Sequence, residues 1–296
     1  MQPIVGVLGL GIMGSAVSAN LRSAGFHVVG FDVAAERLDI FSRAGGEAAN
    51  SPRQVADTAD VVICLLPTVQ ALDDVVTGPD GVLASRRAGL ILVESSTLPL
   101  EEKRRIRDAV QAEITMLDCP LSGTGAQAAT KDLSIYASGD LQAYEKCIAV
   151  FSGFARSHYY LGEFGNGSKM KFVANLLVAI HNVAAAEAFV LGMKAGLDPE
   201  TIYKVIGDGA GSSRMFQVRG PLMVRADYEP ATMKVETWQK DMKIIADFAV
   251  RLRCPTPLFA TSAAFYTAAM AQERGSQDTA SVCAVLEAMA QHDRAQ

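Results

Sequence analysis

Ile4-Val5-Gly6-Val7-Leu8-Gly9-Leu10-Gly11-Ile12-Met13-Gly14 opens the chain with an apolar run that ends in three spaced glycines. The run reads as a strand, and residues 11–24 carry a helical pattern. A strand that turns through Gly-x-Gly-x-x-Gly into a helix makes a cradle for a pyrophosphate. The first glycine permits the tight turn. The second lets backbone N–H groups approach phosphate oxygens, and the third lets helix and strand pack closely. The helix N-terminus adds about half a positive charge toward the phosphates. The cofactor-contacting residues expected here are Gly9, Leu10, Gly11, Ile12, Met13 and Gly14.

An acid further along the chain gives the motif its weight. Asp32 lies 23 residues after Gly9, at the end of a second strand over 27–32. A carboxylate at that tip accepts hydrogen bonds from the ribose hydroxyls of NAD and repels the 2′-phosphate of NADP. Val33, Ala34 and Ala35 come next and hold no phosphate, and Arg37 reads as facing solvent on the next helix. NAD is therefore expected, over NADP.

At 296 residues the chain has room for two domains. Hydrophobic residues make up 50% and charged residues 20%, a composition for large cores and little disorder. The net charge of −5 argues against nucleic acid or an anionic membrane as the main partner. Lys103-Arg104-Arg105 and Arg107 follow Glu101-Glu102 on a predicted helix and read as a solvated face. The five cysteines are widely spaced without a C-x-x-C, and the four histidines show no metal-binding spacing. That pattern suits a reducing cytoplasm and indicates neither a disulfide framework nor a metal. The N-terminus lacks a basic segment and reads as a strand, not a signal peptide. Residues 172–195 are apolar enough to suggest a membrane span, but Asn175, His181, Asn182 and Glu187 interrupt them, so a buried helix is expected.

Strand patterns over 4–8, 27–32, 61–65, 90–94, 116–118, 133–137 and 157–160 alternate with helical ones over 11–24, 34–43, 52–56, 69–76, 99–113 and 142–151. Such alternation predicts a mostly parallel sheet with helices on both faces. Beyond Gly162 the strand patterns stop. A long apolar helix over 168–195 comes next, then helical segments to the end of the sequence. The fold expected is α/β: a Rossmann-type N-terminal domain over 1–162, plus an all-α C-terminal domain over 163–296 for substrate and oligomerisation, joined by a long interdomain helix.

On that helix Lys171 and Asn175 are four residues apart and share a face. Polar groups in an apolar segment need partners or a purpose, although a lysine near a helix start also snorkels to solvent. Two further segments stand out. Asp118-Cys119-Pro120-Leu121-Ser122-Gly123-Thr124-Gly125 follows a strand and ends in small residues, suited to a loop that presents N–H groups and a hydroxyl. Trp238-Gln239-Lys240-Asp241 places a second lysine in the helical half.

Taken in order, these segments resemble the β-hydroxyacid dehydrogenases, the family of 3-hydroxyisobutyrate dehydrogenase, tartronate semialdehyde reductase and enzymes of four-carbon sugar acids such as threonate. The resemblance covers about 4–289 and rests on Gly9–Gly14 with Asn20-Leu21, Asp118–Gly123, Gly165-Asn166-Gly167 with Lys171 and Asn175, and Lys240-Asp241. It implies Lys171 as general acid/base and Asn175 as its orienting partner. Ser122, Gly123 and Thr124 would bind the substrate carboxylate. Lys240 would lie beside the nicotinamide, and Ser96, Thr97 and the loop Leu65-Leu66-Pro67 would contact cofactor. Thr124 stands where the family has a second glycine, and Ala174 where it has the first of two asparagines; both changes bear on which substrate fits.

The implied reaction removes a hydroxyl proton as hydride leaves carbon for the nicotinamide. A base must lie within about 3 Å of that hydroxyl. A free lysine has a pKa of about 10.4, and burial together with a second cation, Lys240, would lower it. An anionic substrate finds cations in Arg214, Arg219, Arg225, Lys169 and Lys234, which otherwise read as scattered surface charge. The segment Gly211–Phe216, with Arg214, reads as substrate-shaping. His181 and Asn182 read as packing residues. The expected protein is a cytoplasmic homodimer or homotetramer acting on a small anionic hydroxyacid. The alternatives are a reductase of tartronate or succinic semialdehyde type, or a non-catalytic NAD-binding module.

Overall fold

A computed structural model describes residues 2–85, 87–110, 112 and 114–294. The end of the helix predicted over 99–113 falls at Gln111 and Glu113, outside the described residues, as do the last two residues of the domain expected over 163–296. The chain divides into two compact units, Met1–Lys171 and Phe172–Gln296.

The strands of the first unit are β1 (Val5–Leu8), β2 (Val28–Phe31), β3 (Glu47–Ala48), β4 (Val61–Cys64), β5 (Ile91–Glu94), β6 (Thr115–Asp118), β7 (Leu121–Ser122), β8 (Ser134–Ala137) and β9 (Ser157–Tyr160). The first six form one parallel sheet in the order β3-β2-β1-β4-β5-β6. Strand order reverses between β1 and β4, so the chain leaves a crevice outside the carboxyl ends of those two strands. Both faces of the sheet are covered, which is why its central strands are apolar at nearly every position. Val5, Val7, Val61 and Ile63 face a core shared with the helices Ile12–Ser23 and Leu141–Phe154. Leu8, Val62 and Cys64 face another, shared with Pro52–Thr58 and Val69–Thr77.

Two details depart from the sequence reading. β3 and β7 are two residues long, too short to leave a periodic signal. The strands after β6 also leave the main sheet. Pro120 cannot donate a ladder hydrogen bond, the chain turns, and β7 pairs antiparallel with β8 while β8 pairs parallel with β9.

The second unit is helical. The long helix Asn166–Lys194 starts at the end of the first unit and runs on through the second. After it come Pro199–Asp208, Arg214–Arg225, Val235–Arg251, Pro257–Ala271 and Val282–Met289. By length and composition the long helix is apolar enough to cross a membrane. Its ring contacts run within the unit: Phe172 meets Phe248 at 5.1 Å between centroids, and Phe189 stacks on Phe216 at 5.2 Å. Asn182, read as a packing residue, is buried and donates to the Tyr266 hydroxyl at 3.0 Å and the Thr279 carbonyl at 2.8 Å.

Candidate functional site

The glycine loop fits a dinucleotide for steric reasons visible in the backbone. A Cβ on Gly14 would stand 1.8 Å from the Gly9 carbonyl oxygen, so helix and loop approach as only glycine permits. Gly9 has φ +94°, and a Cβ there would lie 2.4 Å from the Leu65 carbonyl oxygen at the end of β4. Gly11 differs. The nearest atom to its Cβ position, Arg37 Nη1, is 3.9 Å away, so a hydrogen alone separates the backbone from open space. Among the described residues no side chain caps the helix Ile12–Ser23, and a helix N-terminus of this kind favours negative charge.

Asp32 is buried beside this loop. Its Oδ2 accepts from the Leu10 N–H at 2.7 Å and its Oδ1 from the Ala34 N–H at 2.9 Å. Arg37, read as facing solvent, instead turns back. Its half-exposed guanidinium lies 3.3 Å from Asp32 Oδ2. Leu65, Leu66 and Ser96 join the same edge of the sheet, because the Leu66 N–H donates to Ser96 Oγ at 2.8 Å.

The loop after β6 comes close to the glycine loop. A Cβ on Gly125 would be 2.5 Å from Ile12 Cγ2, and Asn20 Nδ2 donates to the Ala128 carbonyl at 2.7 Å. Ser122 is the last residue of β7, and Gly123 takes φ +140°. Thr124 caps the short helix Gly125–Ala129. Its hydroxyl accepts from the Gln127 N–H, and its own N–H donates to Gln127 Oε1 at 3.0 Å. The segment read as an open loop is thus a short strand and a capped helical turn.

The long helix begins against the carboxyl end of β6. A Cβ on Gly167 would stand 2.2 Å from the Tyr136 carbonyl oxygen and 2.6 Å from that of Asp118, which explains the glycine at this position. The Gly165 and Gly167 N–H groups donate to Ser138 Oγ at 3.2 and 2.9 Å, and the Ser168 N–H donates to Asp118 Oδ2 at 2.7 Å. Lys171, 9% exposed, lies three residues later on the same helix.

Lys103 overturns the reading of its cluster as a solvated face. It is fully buried, with Nζ 2.5 Å from Glu94 Oε2 and 2.9 Å from Asp118 Oδ1. Burial by itself would lower its pKa, but the carboxylates of Asp118 and Glu94 outweigh burial and hold the ammonium above the ordinary lysine value. Arg105 and Arg107 of the same cluster are paired on the outside, with Asp73 and Glu102 and with Asp108.

In the second unit Asn175 is buried and donates to Asp241 Oδ2 at 3.1 Å, while Lys240 Nζ lies 3.5 Å from Asp241 Oδ1. Asp241, quoted in the sequence only as part of the Lys240-Asp241 motif and given no role there, links Asn175 and Lys240. Arg214 is exposed at the start of its helix. Arg219, read as a surface cation, is 3% exposed and donates to Asp278 at 3.1 Å. Lys169 donates to Asn166 Oδ1 and Lys234 pairs with Glu236, so neither stands as an isolated charge. An open apolar groove between Val235–Arg251 and Pro257–Ala271 is lined by neither Asn175 nor Lys240.

A parallel sheet with a glycine cradle at its switch point and an acid closing the second strand defines an NAD(P)-binding protein. Comparison with known proteins narrows the class. The family model for the NAD binding domain of 6-phosphogluconate dehydrogenase matches residues 4–162, and that for the NAD-binding segment of NADP-dependent 3-hydroxyisobutyrate dehydrogenase matches 165–286. An L-threonate dehydrogenase of Cupriavidus necator is 35% identical over 95% of this chain and 95% of its own length. A 3-hydroxyisobutyrate dehydrogenase structure from Salmonella typhimurium is 31% identical, covers 95% of this chain and 99% of its own, and superposes with a TM-score of 0.85. The Mycobacterium tuberculosis 3-hydroxyisobutyrate dehydrogenase, solved with L-serine, gives a TM-score of 0.86 at 28% identity over 97% of this chain and 99% of its own.

The chain belongs to the β-hydroxyacid dehydrogenases. It is an NAD(P)-dependent oxidoreductase acting on the CH–OH group of small hydroxyacids.

Proposed function

We propose that the protein interconverts a small β-hydroxyacid and its oxo-acid or semialdehyde, with Lys171 as general acid/base and Asn175 as its positioning partner. The supporting observation is a buried lysine one helical turn before a buried, hydrogen-bonded asparagine, on a helix whose first turn is anchored at Asp118. The nicotinamide, when bound, supplies hydride transfer. In oxidation the Lys171 amine takes the hydroxyl proton, and in reduction its ammonium returns it. Ser122, Gly123 and Thr124, with Arg214, are assigned to the substrate carboxylate; because the Thr124 hydroxyl already caps a helix, its N–H and the Gly123 backbone carry more of that role. Gly9–Gly14, Asp32, the loop Leu65-Leu66-Pro67, Ser96, Thr97 and Lys240 are assigned to cofactor.

Asp32 favours NAD. Arg37 moderates that preference, since a guanidinium beside this carboxylate both offsets its charge and can meet a 2′-phosphate. Similarity to L-threonate dehydrogenase favours a four-carbon sugar acid as substrate. Residues 1–162 form the cofactor domain in this reading and 163–296 the domain for substrate and assembly. The protein is read as a cytoplasmic homodimer or homotetramer that engages neither nucleic acid nor membrane. The net charge of −5 and the exposed Leu177, Leu191 and Leu258 of the helical unit support that assignment.

Two measurements test the proposal. Lys171→Ala should lower turnover by about 10²–10⁴-fold and leave NADH binding unchanged; turnover close to wild type removes Lys171 from the chemistry. A panel of 3-hydroxyisobutyrate, glycerate, 4-hydroxybutyrate, threonate and serine, each with NAD and NADP, should show threonate or 3-hydroxyisobutyrate with the highest kcat/KM.

A further inference from the structure

We infer that Lys103 is a positioning residue that couples the cofactor-contacting loops to the start of the helix bearing Lys171. The inference rests on the reading of Lys171 as acid/base. Glu94 and Asp118 are register partners at the ends of β5 and β6, so two carboxylates sit side by side, fully buried. Like charges so placed repel unless a cation lies between them. Lys103, reaching in from the helix Leu100–Val110, supplies that cation to both.

What each carboxylate holds with its other contacts gives the arrangement its direction. Glu94 Oε1 accepts from the Ser96 N–H at 2.9 Å, and Ser96 Oγ in turn accepts from the Leu66 N–H at 2.8 Å. Both are among the proposed cofactor contacts. Asp118 accepts from Ser168 Oγ at 2.7 Å through Oδ1 and from the Ser168 N–H at 2.7 Å through Oδ2. Ser168 is one turn before Lys171 on the same helix. The path from Leu66 to Ser168 is an unbroken series of hydrogen bonds and one ion-paired ammonium. A shift of either end changes the charge balance felt by the other. Networks of this kind are non-additive because their members polarise and position one another.

A double-mutant cycle on Glu94→Gln and Ser168→Ala tests this in the full chain. Each variant weakens one limb while Lys103 stays, so neither strands two buried carboxylates. Three readouts are needed: the Kd of NADH in the absence of substrate, the pH profile of kcat, and Tm. Glu94→Gln should reach across and shift the kcat–pH profile, and Ser168→Ala should weaken NADH binding. The double variant should depart from the product of the single effects on Kd by about threefold or more. Lys103→Arg should keep the coupling, since it preserves the cation. Single effects that stay on their own side and multiply in the double variant, or a fall in Tm with Kd and the pH profile unchanged, overturn the inference and leave Lys103 a stability residue. Failure of the Lys171 assignment appears separately, as an active Lys171→Ala, while the NADH cycle still reports on the coupling.

Discussion

Lys103 in the first unit and Arg219 in the second are both buried cations against carboxylates, and they do different work. Arg219 faces one carboxylate, Asp278. That group also accepts from Thr232 Oγ1 at 2.7 Å and from the N–H groups of Thr232, Met233 and Ala280 at 2.9, 3.1 and 3.0 Å. All these donors lie in the connections either side of Val235–Arg251 and Pro257–Ala271, so the pair fastens loops. Lys103 faces two carboxylates whose remaining contacts lead to Ser96 on one side and to Ser168 and Ser138 on the other. Burial is alike in the two places, whereas the charge balance is not: one carboxylate stands against the cation in the second unit and two in the first. The contrast lies in what the far side of each carboxylate holds, and a buried ion pair taken alone is weak grounds for either stability or function.

The sharpest way to break this contrast is Arg219→Met. It strands the Asp278 carboxylate and should cost about 3–5 kcal/mol of unfolding free energy, read by chemical denaturation, while the folded protein binds NADH within about twofold of wild type. A collapse of NADH affinity in folded protein would erase the distinction between the two cations. Acid titration should give a smaller effect of defined sign. Burial would raise the Asp278 pKa, but Arg219 and the surrounding donors prevail and hold it below the ordinary 3.8. A depressed folded value contributes stability that is present above the unfolded pKa and lost as pH falls through the folded one. Below pH 3.8 the wild type should therefore lose stability more steeply than Asp278→Asn in urea titrations. At the bottom of the scale is Arg37, half exposed on Asp32. Arg37→Ala should change unfolding free energy by about 0.5 kcal/mol or less. It should still weaken NADP binding relative to NAD by about tenfold, the loss of a charge-assisted contact; an unchanged ratio would separate Arg37 from cofactor choice.

Much of the first unit was legible because single residues carried its requirements. Gly9 and Gly14 occupy positions that exclude a Cβ, and the two-residue and 3.6-residue periods announced the principal strands and helices. Lys103 was misread because sequence neighbours, Glu101 to Arg107, suggested a polar face. A signal was present nonetheless. Leu100, Lys103, Ile106 and Val110 fall on one face of their helix, and that face is buried. Arg219 obeys the same rule beside Phe216 and Met223. A charge on an apolar stripe predicts a buried partner, but the partner itself comes from a distant strand or loop, and one sequence gives no register for that pairing. The separate sheet of β7–β9 was hidden for a related reason. Strand content is local, whereas the edge a strand chooses depends on where Pro120 turns the chain.

Asp32 has one more consequence. The carboxylate that selects between nucleotides is also a strut of the glycine loop itself, since it already holds the Leu10 and Ala34 amides. Discrimination and preorganisation thus reside in the same two oxygen atoms. An engineer who exchanges this residue to change coenzyme preference will also slacken the turn that receives the diphosphate. A successful redesign has to restore those two amide acceptors before it adds any group for the extra phosphate.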